Sequence, residues 1–274
     1  MGRLQLWEII DQPWCPRAVR EGVTEYLQIV AQLGRPYRLV APLVRRALER
    51  TGSHEIVDLG SGTGGPWPGL LDELHADGGP SVQVTLTDAL PSDAMASRVE
   101  EAAAGRLRYH RAPVDARRVP SELTGVRTLF SAFHHFSPAG ARAVLADAVR
   151  TRSGIAVFEM THRSAWPVAA MLLTPPLALA AMPLVRPVRL SRLLYTYLLP
   201  VIPVVTTFDG VVSCLRTYSP SELRDLAVGV ATEGYHWEAG ELEASAPPFI
   251  PVTYLVGYPD DGGACSAAPR QETR

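Results

Sequence analysis

The chain has 274 residues, 47% of them hydrophobic and 20% charged, with a formal net charge of −2. That length buries one full core and suits a single α/β domain carrying an insertion better than two domains. The near-neutral balance removes the electrostatic case for nucleic acid, which calls for a basic field.

The N-terminus carries an acid at Glu8 and no apolar signal core, so a cytoplasmic protein is expected. Residues 6–16 mix large apolar groups with prolines. Arg17 to Leu33 reads as an amphipathic helix, with Val19, Val23, Tyr26, Leu27 and Val30 on one face. Residues 34–36 stop it, and residues 40–50 form a second helix.

The stretch Glu55-Ile-Val-Asp58-Leu-Gly60-Ser61-Gly62-Thr-Gly64-Gly65 follows. Its first half is a buried parallel strand and its second half a glycine turn into a helix over 66–75. Glycines there admit positive φ and close approach of a ligand, and free N–H groups at a helix start favour a carboxylate or phosphate. A second strand, 81–88, ends in Asp88; residues 77–80 form the turn before it. Residues 92–104 are helical, 107–111 a third strand, and 112–116 a loop with Asp115. A fourth strand from Val126 exits through Ser131 into Phe133-His134-His135-Phe136. Ser137 and Pro138 cap the helix after it. The fifth strand, 154–161, ends in Glu159.

Residues 163–218 are unusually apolar. The run 166–185 has no charge and is long enough to span a membrane, but prolines 167, 175, 176 and 183 argue against one straight helix. Three arrangements fit: broken helices roofing an apolar pocket, an interfacial membrane element with Arg186, Arg189 and Arg192 toward anionic headgroups, or an apolar dimer face. Ser219, Pro220 and Glu222 spell a capping box. A helix to residue 230 and strands over 235–243 and 250–258 complete the fold, and 259–274 reads as a disordered tail. Every basic residue other than histidine is arginine, and neither lysine nor asparagine occurs, as codon bias in a GC-rich genome produces. Cys15, Cys214 and Cys265 are scattered and odd in number, which fits a reducing compartment and gives neither a disulfide framework nor a metal site.

The spacing Asp58-x-Gly60-x-Gly62-x-Gly64 resembles motif I of the class I S-adenosylmethionine-dependent methyltransferases. The resemblance covers about residues 50–160 and 217–258. It implies a Rossmann-like α/β fold: a seven-stranded, mostly parallel sheet with helices on both faces, an N-terminal helical cap (1–50), and an apolar helical lid inserted after strand five (163–218). The core would then be 51–162 and 219–258. The cofactor implied is S-adenosylmethionine, held by Asp58, Gly60, Ser61, Gly62, Gly64, Asp88 at the ribose, Asp115 at the adenine amino group, and Ser131. His134, His135 and Glu159 stand where a general base belongs, the adjacent histidines facing different ways. Trp7, Trp14 and Tyr195 suit an apolar or cation-forming substrate, and Arg216 a substrate carboxylate or diphosphate. No metal is expected. The activity implied is methyl transfer to a small hydrophobic or amphiphilic molecule, such as a secondary metabolite or isoprenoid. Two alternatives stay open: a non-catalytic scaffold or membrane-associated partner using the insertion, and a dinucleotide oxidoreductase, whose Gly-x-Gly-x-x-Gly turn is similar.

Overall fold

The structure is a computed structural model that describes residues 2–33, 35–76, 81–91, 93–103, 105–243 and 251–260. The turn at 77–80 and the tail from 261, with Cys265, lie outside the described residues.

Five parallel strands form the centre: β1 (Glu55–Leu59), β2 (Gln83–Thr87), β3 (Leu107–Tyr109), β4 (Val126–Phe130) and β5 (Ile155–Glu159). Residues of β1, β4 and β5 are buried almost throughout, which is why they read as continuous apolar runs. β6 (Tyr235–Leu242) and β7 (Val252–Pro259) pair as an antiparallel hairpin, and β7 runs antiparallel to β5. The sheet order is β3-β2-β1-β4-β5-β7-β6. The order reverses between β1 and β4, so a crevice opens at their carboxyl ends.

Helices cover both faces. On one side α2 (Ala41–Thr51), α3 (Trp67–His75) and α4 (Asp93–Ala102) share a core with β1, β2 and β3. On the other, α5 (Pro138–Arg150) and α10 (Pro220–Val228) close on Leu59, Leu129 and Leu255. Both expected caps are present. The Ser137 side chain accepts from the Gly140 N–H, and Ser219 and Glu222 form the reciprocal box.

The first fifty residues divide. α2 packs on the sheet, whereas α1 (Arg17–Leu33) joins the insertion. Val19, Val23 and Tyr26 of α1 form a separate apolar cluster with Ala178, Met182, Ile202 and Val205. Packing there is close: a Cβ on Gly22 would lie 2.4 Å from Ile202 Cδ1.

The insertion folds as broken helices: α6 (Ala165–Ala170), α7 (Thr174–Ala181), α8 (Leu190–Leu193) and α9 (Val201–Arg216). 3-10 turns at 171–173 and 182–184 splice the first two into one helical stretch of 20 residues, Ala165–Leu184. The prolines sit at first-turn positions of these pieces, where a missing N–H costs nothing. A 75° bend separates Leu190–Leu198 from α9. The interfacial arrangement, one of the three that fit the sequence, would turn Arg186, Arg189 and Arg192 outward, and two of them do not turn outward. Arg192 is buried, donating to Glu25 at 2.5 Å and to the Val185 and Pro187 carbonyls; Arg189 pairs with Glu21 at 2.6 Å. Of the three, Arg186 alone is exposed, and it has no such pairing among the described residues.

Candidate active site

The turn after β1 has the geometry its glycines require. Gly60, Gly62, Gly64 and Gly65 all hold positive φ. The Ser61 N–H donates to the Thr87 carbonyl at 2.9 Å and its hydroxyl to the Asp58 carbonyl at 2.9 Å, tying the turn to β1 and β2. Asp88 follows β2, half-buried. Its Oδ2 accepts from the Gly62 N–H at 2.9 Å and its Oδ1 from the Leu90 N–H at 2.8 Å. Each oxygen keeps a further acceptor site, as two ribose hydroxyls would use. A Cβ on Gly62 would meet nothing within 4 Å, so the turn is open at that position, whereas Gly60 backs on Ala132 and Gly64 on Val99 and Leu86. The Asp88 acceptors beside that opening suit the ribose of a nucleoside.

Asp58 is buried at the end of β1, and its Oδ1 accepts from the Thr128 hydroxyl at 2.6 Å. Burial pushes its carboxyl up to about 6 despite that bond. α1 lies along the turn: Gln28 donates to the Thr63 carbonyl at 2.6 Å, and Thr63 to the Thr24 carbonyl at 3.3 Å. Ser131, at φ +46°, leaves β4 with its hydroxyl bonded to the Tyr37 hydroxyl at 2.7 Å and accepting from the Met160 N–H. Asp115 is exposed, and its carboxylate holds Arg117 through Nε and Nη2 at 2.8–3.1 Å.

A second, charge-rich cluster lies beyond β4 and β5. His134 is buried, with Nδ1 2.7 Å from Glu159 Oε2. The other Glu159 oxygen accepts from the Phe133 and His134 N–H groups at 2.8 and 3.0 Å. Glu159 therefore holds the histidine turn in place and is spent doing so. Glu8, buried in the N-terminal segment, brings Oε1 to 3.5 Å from His134 Nε2 and Oε2 to 3.6 Å from His135 Nε2. Asp11 Oδ2 lies 2.9 Å from His135 Nδ1. The expectation that the two rings face different ways is thus overturned: their centroids are 4.4 Å apart and both Nε2 atoms turn toward Glu8. Burial pulls the His134 imidazolium down, but the carboxylates of Glu159 and Glu8 outweigh it and push the group up to about 10.

Arg216 does not wait for a substrate. It is buried, donates to the His134 and His135 carbonyls at 3.2 and 2.6 Å, and places Nη1 3.3 Å from Glu8 and 3.4 Å from Asp11. Trp7 and Trp14 are more than half exposed. They meet edge-to-face at 6.3 Å, and Trp7 lies 6.0 Å from Phe208 on α9, an external aromatic cluster. Tyr195 packs on the cluster shared by α1 and the insertion.

Sequence reasoning missed Glu8, Asp11 and Asp209. Asp209, on α9, accepts from the Ile9 and Ile10 N–H groups at 2.7 and 3.1 Å. The signal was present: an acid between Trp7 and Ile9, and another inside an apolar helix, each needs a buried partner.

No protein-family description matches the chain, and no curated protein resembles it in sequence. Solved structures do. The plantazolicin methyltransferase BpumL in complex with SAH superposes with a TM-score of 0.55 at 10% identity, over 92% of this chain and 94% of that one. The CurJ carbon methyltransferase gives 0.54 at 14% identity, over 89% of this chain and 61% of that one. The chain has the fold of the class I methyltransferases, with its glycine turn and Asp88 at the crevice where β1 and β4 diverge.

Proposed function

We propose that the protein is an S-adenosylmethionine-dependent methyltransferase acting on a small hydrophobic or amphiphilic molecule. One observation carries the reading: the positive-φ glycine turn, open at Gly62, lies beside Asp88 at the switch point of a methyltransferase fold. Both structural neighbours are named methyltransferases, which supports it.

When bound, S-adenosylmethionine supplies an activated methyl on its sulfonium. The chain has to hold the acceptor in line and exclude water. Asp88 would take the ribose hydroxyls and Asp58 the aminoacyl end, and α1 would close the cleft. For a hydroxyl acceptor a base is needed. His134 already holds its proton between two carboxylates, so the base falls to His135, half-exposed with Nδ1 held by Asp11. Glu159 positions.

Titration calorimetry tests this. S-adenosylmethionine should bind one per chain, and Asp88→Ala should weaken it at least tenfold, as loss of charge-assisted hydrogen bonds predicts. Equal affinity for NADPH, or no change in Asp88→Ala, defeats the reading.

A second observation bears on where the substrate is met. The stretch Ala165–Leu184 has mean hydropathy 1.6 and only 22% of its apolar window is buried. Leu172, Leu173, Leu177 and Leu184 are exposed, as are Leu190 and Leu198 before the bend into α9. So much exposed leucine favours a bilayer surface over a closed roof. The substrate would then be drawn from lipid, and the protein would sit peripherally at the membrane rather than free in the cytoplasm.

A further inference from the structure

We infer that Glu8, His134 and His135 form a binding site for one divalent first-row transition-metal ion. The inference is independent of how the cofactor cleft is read, and with the ion bound His135 Nε2 is a ligand and no longer free to act as a base.

The donor atoms converge. Glu8 Oε1 is 3.5 Å from His134 Nε2, and Glu8 Oε2 is 3.6 Å from His135 Nε2. These separations are long for hydrogen bonds, and His134 Nε2, fully buried, has no hydrogen-bond partner among the described residues. Two donors sharing one ion at about 2.0–2.2 Å stand roughly 3–3.5 Å apart. One donor atom from each of the three residues falls within 4.8 Å of the other two. Small shifts close the set.

The surroundings carry the rest. Metal-binding histidines characteristically give their other ring nitrogen to a carboxylate, which fixes tautomer and ring angle. Both do so here, His134 Nδ1 at Glu159 and His135 Nδ1 at Asp11. With the ion bound, each Nε2 would face inward as a neutral donor. Arg216 steadies Glu8 and Asp11 from behind and binds the carbonyls of both histidines. Ser213 donates to Glu8 at 2.9 Å. Among the side chains touching the imidazoles and the Glu8 carboxylate, three carboxylates face one guanidinium. With neutral imidazoles, two negative charges go uncompensated in a largely buried space, and a divalent ion cancels them. Two imidazoles with one carboxylate suit zinc, iron, cobalt, nickel or manganese better than calcium or magnesium. Three protein donors leave a coordination position for an oxygen ligand.

The rival occupant is a proton, holding His134 as an imidazolium between Glu159 and Glu8. The full-length protein, stripped with chelator, separates them by calorimetric titration with Zn²⁺ and by the visible absorption of Co²⁺. Expected are one ion per chain with sub-micromolar affinity and Co²⁺ bands of a nitrogen–oxygen site. His135→Ala, at a half-exposed position, should weaken Zn²⁺ at least 100-fold. Asp11→Asn, one step removed, should weaken it about tenfold. Circular dichroism and an unchanged S-adenosylmethionine affinity would show both variants folded. No stoichiometric Zn²⁺ binding, or the same affinity in His135→Ala, overturns the inference and leaves the proton as occupant.

Discussion

Asp58 and Asp88 are both acids at strand ends, yet their surroundings give them different chemistry. Asp88 is half-exposed and already accepts from two backbone N–H groups, so it is pre-aimed. Asp58 is buried, and its carboxyl sits at about 6. The native state therefore binds a proton there more tightly than the unfolded chain, whose aspartate lies near 3.9. The stability this proton contributes is fully present below about pH 4 and is lost as pH rises through 6. A cationic ammonium wants the ionised form. Affinity for S-adenosylmethionine should rise severalfold from pH 5 to pH 7 and flatten above it, and Asp58→Asn should remove the dependence; calorimetry at a series of pH values reads both. The glycines and these two acids were legible because their job is local: a turn, a strand end. The partners of His134 were not. Nothing near Phe133 in the sequence announces that a residue 126 positions upstream supplies the facing carboxylate. The Asp115 pairing was not legible for the same reason, since an exposed loop acid takes whichever arginine is nearest, here Arg117 two residues on.

At the scale of elements, strands and helices followed from periodicity because each buries a face against a near neighbour. The N-terminal segment did not, for it has no periodic face. Tertiary bonds to α9 hold it: Asp209 to the N–H groups of Ile9 and Ile10, the Leu4 N–H to the Leu215 carbonyl, and Arg216 to Glu8. Asp209→Ala orphans two N–H groups at once. It should cost about 2 kcal/mol of stability. Limited proteolysis should then cut within residues 2–16 at least tenfold faster, while α5 and the sheet keep their protection. The insertion was legible as broken helices but not in its arginines, because Arg192 finds Glu25 only once α1 lies beside α8.

For the whole molecule, the sheet is ordinary and the outer surface of the insertion is not. Sequence composition told that residues 163–218 were too apolar for solvent; it could not tell inward from outward. With Leu172 at 70% exposed and Leu198 at 75%, the outward answer has a consequence in solution. The protein should co-float with liposomes without added substrate, and Leu172→Glu with Leu177→Glu should release it, leaving S-adenosylmethionine affinity intact. Recovery of that double variant in the floating fraction would defeat the bilayer reading.

The bonds between residues 4–11 and residues 209–216 also fix an order of events during synthesis. A nascent chain cannot settle its first dozen residues until α9 has left the ribosome. By then β1 to β5 have emerged. Trp7 stays without Phe208, and the Glu8 carboxylate without Ser213 and Arg216, through most of translation. Fusions that restrain the N-terminus should therefore act on the last step of assembly, after the sheet has formed.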